Sequence, residues 1–335
     1  MTSSRAHLRW GILATGGIAH AFTSDLRTAG LSVQAVGSRR KEAADAFAAS
    51  FEIPSAYGSY EQLVSDPDVD IVYVATPHTL HAEDAMLALE HGKHVLIEKP
   101  LTANAREAAA VREAAASRGL LAMEAMWTRY LPHMRRIHEL LDAGALGEVR
   151  TVFADHTQSL PTDPAHRINA LKLGGGALLD LGIYPVSFVC DILGAPTSVL
   201  AQARLGETGA DTEVATIFTH AGGAVSTTLS SSRAAGPNTA HIVGTDARID
   251  IDRVWYCPTT FRLSAPDGTV IEEFSSRVDG RGMQYQALAA EEIIAAGDRD
   301  SAILPIDESV AIMATLDKIR RQIGVRYGAD GPDGS

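Results

Sequence analysis

The sequence predicts an α/β protein of two domains. The first is a Rossmann domain with a doubly wound parallel sheet, and the second is an α+β domain with a large, mainly antiparallel, open-faced sheet. Three observations carry this expectation. Over about the first 125 residues, short apolar runs alternate with alanine-rich amphipathic segments, the mark of βαβ units. A glycine-bearing turn directly follows the first apolar run, where such a sheet places its first ligand loop. Beyond Pro132, long strand-like runs succeed one another with few helices between them, which implies antiparallel neighbours.

Taken in order, residues 8–13 read as a strand, 18–29 as a helix, 31–37 as a strand and 41–50 as a helix. Then come a strand at 71–75, a helix at 82–91, a strand at 95–97, a helix at 105–118 and a strand at 120–123. Right-handed crossovers put the loops after these strands along one edge. A helix at 134–143 stops at Gly144, and strands follow at 149–156, 197–205, 213–220, 224–232 and 240–243. One long helix, 177–193, interrupts them, and two amphipathic helices, 285–296 and 307–323, close the chain before a tail from Gly328 that reads as frayed. The change of pattern divides the chain into 1–126, a dinucleotide-binding domain, and 127–335.

At 335 residues the chain is long enough for two cores. Its net charge of −12 speaks against a nucleic-acid partner. The only basic cluster, Arg39-Arg40-Lys41, is soon countered by Glu42 and Asp45. The start shows no apolar h-region, and no apolar run reaches the roughly 18 residues of a spanning helix. A cytoplasmic protein with no membrane partner is expected. Cys190 and Cys257 lack metal-ligand spacing and read as inert thiols. His78 and His81, three apart, lack a third ligand, so no metal site is expected.

The turn after the first strand fits the dinucleotide fingerprint, with Ala14, Gly16 and Ala19 in the three glycine positions. Gly16 lets the backbone approach a pyrophosphate, while Thr15, Gly17 and Ile18 open a helix whose free N–H groups favour phosphate. At the end of the second strand an NAD enzyme usually presents an acid to the ribose 2′-hydroxyl. This chain presents Ser38, Arg39 and Arg40 instead. A guanidinium beside a hydroxyl suits a 2′-phosphate, so NADP(H) is preferred over NAD(H).

Two further segments look like halves of one active site. The run Val95–Ile97 ends in Glu98-Lys99-Pro100, which puts a lysine at the carboxyl end of a buried strand, the end at which open α/β sheets bind ligands. About eighty residues on, Gly174-Gly-Gly opens a helix in which Asp180 and Tyr184 stand four apart, on one face.

With these segments in order, the chain resembles the Gfo/Idh/MocA oxidoreductase family. The resemblance rests on the fingerprint at 11–19, Ala75-Thr-Pro77, His81, Gly92-Lys-His-Val, Glu98-Lys-Pro100 and the Gly174-Gly-Gly block. The stretches Glu124-Ala-Met-Trp-Thr-Arg-Tyr-Leu-Pro132 and Asp180-Leu-Gly-Ile-Tyr184 look most like its dimeric dihydrodiol dehydrogenase and NADP-dependent D-xylose dehydrogenase branch. The resemblance implies that Thr76, Pro77 and His81 line the nicotinamide-ribose side and that Glu98 holds a ribose hydroxyl. It implies that Trp127 and Arg129 reach the cofactor, and that Lys99 and Tyr184 carry the chemistry with Asp180 and Arg167 near the substrate. It also implies a homodimer or homotetramer formed through the open sheet of the second domain.

The expected activity is hydride transfer between NADP(H) and a sugar, polyol or vicinal-diol carbon. Two alternatives stand beside it: a sugar-nucleotide ketoreductase, and a non-catalytic NADP-binding regulator on the same fold.

Overall fold

The computed structural model describes residues 7–330. Within them the chain forms two compact units, the first made of 7–102, 106–127 and 279–309, the second of 103–105, 128–278 and 310–330. The expected cut at 126/127 therefore gains a return crossing, in which residues 279–309 join the first unit. The reason is local. Asp25 is buried, and its carboxylate accepts the backbone N–H groups of Arg281 and Met283. Trp10 donates its indole N–H to Glu291 at 3.0 Å.

The first unit holds a six-stranded parallel sheet of order β3-β2-β1-β4-β5-β6. Its strands are β1 Arg9–Leu13, β2 Ser32–Gly37, β3 Ser55–Tyr57, β4 Ile71–Val74, β5 His94–Glu98 and β6 Ala122–Ala125. The helices α1 Gly17–Thr28, α2 Lys41–Phe51, α3 Tyr60–Val64, α4 His81–Glu90 and α5 Ala105–Arg118 alternate with them. Trp10, Ile12, Val72, Val74, Leu96 and Ile97 are wholly buried, as strands covered on both faces require. Phe22 of α1 stacks on Tyr73 at 3.8 Å. The strand order reverses at β1, so the crevice for a ligand opens between β1 and β4.

The second unit holds an eight-stranded sheet of order β14-β13-β12-β11-β7-β10-β9-β8, in which only β7 and β10 run parallel. The inner strands are β7 Val149–Thr157, β8 Pro196–Leu205, β9 Asp211–His220, β10 Val225–Ser231 and β11 Ala240–Gly244. The other three are β12 Arg248–Ile251, β13 Phe261–Ser264 and β14 Val270–Phe274. Helices α6 Pro132–Asp142 and α7 Ile183–Leu193 belong to this unit, while α8 Gln284–Ala296 belongs to the first and α9 Ile306–Ile323 runs from one to the other. One face of the sheet is packed against α7 and the π-helical turn before it. Strand alternation leaves the other face open. Val152, Ala154 and His156 are buried, whereas Phe153, Ile217 and Leu229 are exposed.

The expected fold class stands, with corrections in detail. Strand β3 and helix α3 escape the sequence reading because each is too short to show a period. Strands β12 and β14 read RIDI and VIEEF, whose charges mask the apolar alternation. The helix expected at 177–193 has a π-helical stretch, Leu178–Gly182, ahead of α7. This helical region, 171–193, has the length and hydropathy of a membrane span, but 83% of its most apolar window is buried within the fold. The tail from Gly328 is not frayed as far as it is described. Gly328–Asp330 form a 3-10 turn, and Asp330 accepts two hydrogen bonds from Arg320 at 2.7 and 2.9 Å. Residues 331–335 lie outside the described residues.

Candidate active site

In the first unit the parallel register brings several of the expected residues to one sheet edge. Gly37, Leu13, Val74 and Ile97 are paired side by side across β2, β1, β4 and β5. Two residues beyond each stand Arg39, Thr15, Thr76 and Lys99. Four residues distant in sequence thus emerge at one height along the carboxyl edge of the sheet, which is where doubly wound sheets bind ligands.

The residues of this edge fit a dinucleotide. Gly16 is the N-cap of α1 and adds no side-chain cap, and the first turn, Gly17-Ile18-Ala19, holds no acid. A Cβ built on Gly16 or Gly17 would meet nothing within 4 Å. The positive end of the helix therefore faces open space in which a pyrophosphate can approach the backbone. Ala14 donates its N–H to the Gly37 carbonyl at 2.9 Å and has φ +85°, the conformation that explains why a glycine commonly stands in this position. Ser38 is buried and its hydroxyl accepts the Arg40 N–H, leaving Arg39 and Arg40 exposed. Burial pushes the Tyr60 phenol up, while the charges of Asp84 and Arg39 act on it in opposite senses and a hydrogen bond to Arg39 holds it down.

Glu98, Lys99 and Pro100 are held from below. Tyr73 and Glu98 are hydrogen-bonded, and Glu98 also accepts the Lys99 N–H at 3.2 Å. His81, fully buried, sets Nδ1 2.8 Å from the Pro100 carbonyl and Nε2 2.9 Å from the Thr76 carbonyl. Burial drives its pKa down to about 4, against the pull of those two carbonyls. His81, neutral, donates to one of the two carbonyls and packs between the loop bearing Thr76 and Pro77 and the loop bearing Lys99. Glu124 accepts the Leu101 N–H and the Ser309 hydroxyl. Trp127 is buried, the last residue of the 106–127 stretch of the first unit.

The second unit positions Asp180 and Tyr184. Gly174 and Gly176 have φ +75° and +145°, and a Cβ on Gly175 would lie 2.6 Å from the Arg167 carbonyl oxygen. The glycine block is what lets the turn pack against the Arg167 loop. Arg167 is exposed, yet its two terminal nitrogens each donate to Asp180 at 3.1 Å. Asn169 accepts from Arg233 and donates to the Pro161 and Asp163 carbonyls, pinning the same loop. Asp180 lies in the π-helical stretch, a rare local form common at functional sites.

Around Tyr184 the structure assembles side chains that sequence reasoning missed. His156 meets its ring edge-on at a centroid distance of 5.0 Å and stacks on Tyr256 at 3.8 Å. Gln158 contacts His156 Nε2 at 2.8 Å. Burial pushes the Tyr256 phenol far up, so it stays a neutral donor. The alternation in β7 is a signal that could have placed His156 on the inward face, but nothing local ties Tyr256 to it.

Farther along α7, Arg129 donates to Ser187 at 3.1 Å and pairs with Asp191. Ser187 and Asp191 lie three and seven residues beyond Tyr184, on the same side of the helix. His138 joins Asp191 at 3.0 Å, and that hydrogen bond raises its pKa against the opposing effect of burial.

Comparison with known proteins identifies the family. Residues 8–126 match the model of an oxidoreductase family with an NAD-binding Rossmann fold, and residues 134–250 match the GFO/IDH/MocA C-terminal domain. Trans-1,2-dihydrobenzene-1,2-diol dehydrogenase of Mus musculus is 37% identical over 333 residues, covering 96% of this chain and 99% of the relative. The same-named protein of Danio rerio is 36% identical, with the same coverage. Among solved structures, an aldose-aldose oxidoreductase from Caulobacter crescentus, complexed with glycerol, superposes with a TM-score of 0.86 at 25% identity, covering 95% of this chain and 97% of its own. A 3-ketoreductase from Actinomadura kijaniata, in complex with TDP-benzene and NADP, superposes at 0.82 and 28% identity, covering 95% and 98%. Sheet order, glycine turn and full-length likeness converge: the chain belongs to the Gfo/Idh/MocA family of nicotinamide-dependent oxidoreductases and is a dehydrogenase or reductase acting on CH–OH groups.

Proposed function

We propose that the protein is an NADP(H)-dependent oxidoreductase that moves hydride between the nicotinamide and a carbon of a sugar, polyol or vicinal diol, working in the cytoplasm. The single observation that carries this is the row at the sheet edge, which sets a cation at the end of β2 and a lysine at the end of β5 at one height on either side of the phosphate turn. The names of the relatives, a diol dehydrogenase and an aldose oxidoreductase, support the substrate class.

The first unit holds the cofactor and the second the substrate. Gly16, Gly17 and the start of α1 receive the pyrophosphate, Ser38, Arg39 and Arg40 a 2′-phosphate, and Glu98 a ribose hydroxyl. When bound, the nicotinamide supplies the hydride chemistry. The protein handles the proton. In the oxidative direction a substrate hydroxyl loses its proton as its carbon loses hydride, leaving a carbonyl. An ordinary phenol titrates near ~10, too high for base catalysis at neutrality. An ammonium close to it favours the phenolate. We assign the handling of that proton to Tyr184 and Lys99, and the binding of a neighbouring hydroxyl to Asp180, steadied by Arg167. Arg129 and Trp127 serve the cofactor, Arg129 while anchored to α7.

The open sheet face supports assembly. Leu200 is 63% and Ile217 50% exposed, with Phe153, Val225 and Leu229 beside them. An apolar surface of this kind on a sheet calls for a partner, and we propose a second copy, as a homodimer or homotetramer.

The test is a screen of aldoses, inositols, dihydrodiols and ketosugars with NADP⁺ or NADPH, followed at the nicotinamide absorbance. Turnover of a polyol or aldose supports the proposal. Turnover only of nucleotide-linked ketosugars, with competitive inhibition by nucleoside diphosphates, moves the assignment to a sugar-nucleotide ketoreductase, the reading that the 3-ketoreductase likeness favours. Tight NADP binding with no turnover of any compound would mark a regulator.

A further inference from the structure

The glycine turn before Asp180 is walled on its other side by residues that no catalytic argument uses. A Cβ on Gly176 would lie 2.3 Å from Asp211 Oδ1 and 3.2 Å from the Tyr327 hydroxyl oxygen. Asp211, at the start of β9, is buried, and its Oδ2 accepts the Leu178 N–H at 2.6 Å. It caps the helical segment two residues before Asp180 and six before Tyr184, as acids do at helix starts. Tyr327 donates its hydroxyl to the Gly175 carbonyl at 3.1 Å.

Tyr327 is itself held by the chain end. The Arg320 guanidinium lies 4.8 Å over its ring, Arg320 donates to Asp317 and Asp330, and Asp330 accepts the Tyr327 N–H at 2.8 Å. All of these residues are in the second unit. The carboxyl-terminal segment, β9 and the glycine turn thus close on one point, from which the segment bearing Asp180 and Tyr184 departs.

We propose that Asp211 and Tyr327 are positioning residues: the carboxyl-terminal segment sets the placement of the helix that carries Asp180 and Tyr184, and so controls turnover without touching substrate or cofactor. This deepens the function proposed above and rests on Tyr184 taking part in proton transfer. Misplacing a reacting group by about 1 Å can cost on the order of a hundredfold in rate. A helix whose first turn loses a cap and a carbonyl anchor is free to shift by such an amount.

The experiment uses the full chain with Tyr327→Phe, which keeps the ring, and with Asp211→Ala and Asp211→Asn, the last keeping an acceptor oxygen. Three readouts are taken: kcat on the best compound of the screen, NADPH affinity by fluorescence, and amide exchange across 174–186 against 134–142. Tyr327→Phe is expected to lower kcat by about tenfold with NADPH affinity unchanged and exchange faster in 174–186 only. Asp211→Asn should retain more kcat than Asp211→Ala. A kcat within twofold of wild type in Tyr327→Phe, or unchanged exchange at 174–186, overturns the proposal, even where Asp211→Ala does not fold. Wild-type turnover in Tyr184→Phe would instead sink the proton-transfer role itself, a separate failure.

Discussion

Asp180 accepts both terminal nitrogens of Arg167, each at 3.1 Å, although the carboxylate is buried and most of the arginine is in solvent. With the arginine largely in solvent, such a half-buried pair contributes modestly to stability. In the proposed function its use is orientation: the fork fixes the plane of the carboxylate that is proposed to meet a substrate hydroxyl. Arg167→Ala should therefore raise KM for the substrate and lower kcat/KM by about tenfold to a hundredfold, equivalent to ~1.5–3 kcal/mol for hydrogen bonds to a charged group, with melting temperature and NADPH affinity close to wild type. Steady-state kinetics and a dye-free melt check this. An unchanged kcat/KM would leave the pair a surface ornament.

The proposed preference for NADP(H) rests on Arg39, exposed at the end of β2 beside the buried Ser38. Arg39→Ala should weaken NADPH binding by more than about tenfold, the loss of one or two charge-assisted bonds, and leave NADH nearly untouched. Equal affinities for the two cofactors in the wild type, unchanged in Arg39→Ala, would refute the preference. Fluorescence titration reads both.

Ala14 holds φ +85° in the position where the fingerprint expects glycine. A non-glycine residue there carries strain of order 1–3 kcal/mol, against a backbone-entropy cost of about 0.5–1 kcal/mol for glycine. Ala14→Gly should raise stability by up to about 1 kcal/mol or leave it unchanged, and keep NADPH affinity. A clear loss of stability would show that the Ala14 methyl packs favourably.

Two buried groups should give the melting temperature opposite pH slopes. His133 is pushed down to about 4 by burial, with Nε2 on the Trp255 carbonyl. Its neutral form is favoured in the folded chain, so it costs stability as pH falls from 6.5 toward 4. Asp211 is pushed up to about 6 by burial, against the N–H groups of Leu178 and Ala177. As an acid with a raised folded pKa, it contributes most below 3.8 and loses that contribution as pH rises toward 6. Each effect is at most about 1.4 kcal/mol per pH unit. Relative to wild type, His133→Gln should gain stability as pH falls from 6.5 to 4. Asp211→Asn should gain as pH rises across 4 to 6. Parallel melts with the same slope for all three proteins would contradict both assignments.

How much of this was legible in the sequence follows from distance along the chain. The phosphate turn, Lys99 at a strand end and the Asp180–Tyr184 spacing are local patterns, and periodicity with glycine placement exposes them. His156 meeting Tyr184, or Asp211 and Tyr327 closing on Gly176, joins segments tens to more than a hundred residues apart, which no period encodes. Strands such as β12, with arginine and aspartate alternating with isoleucine, hid because ion pairs like Arg248–Asp250 occupy the face that an apolar scan weighs. The tail looked frayed because its anchor, Arg320 on Asp330, is a charge pair formed across a turn.

The most direct test is a double-mutant cycle on kcat with Lys99→Met, Tyr184→Phe and the pair together. If the ammonium and the phenol share one proton, each single change should cost about a hundredfold or more, NADPH affinity should persist, and the double variant should be no slower than the worse single one. Losses that multiply in the double variant would contradict a shared proton and separate the two residues into independent roles.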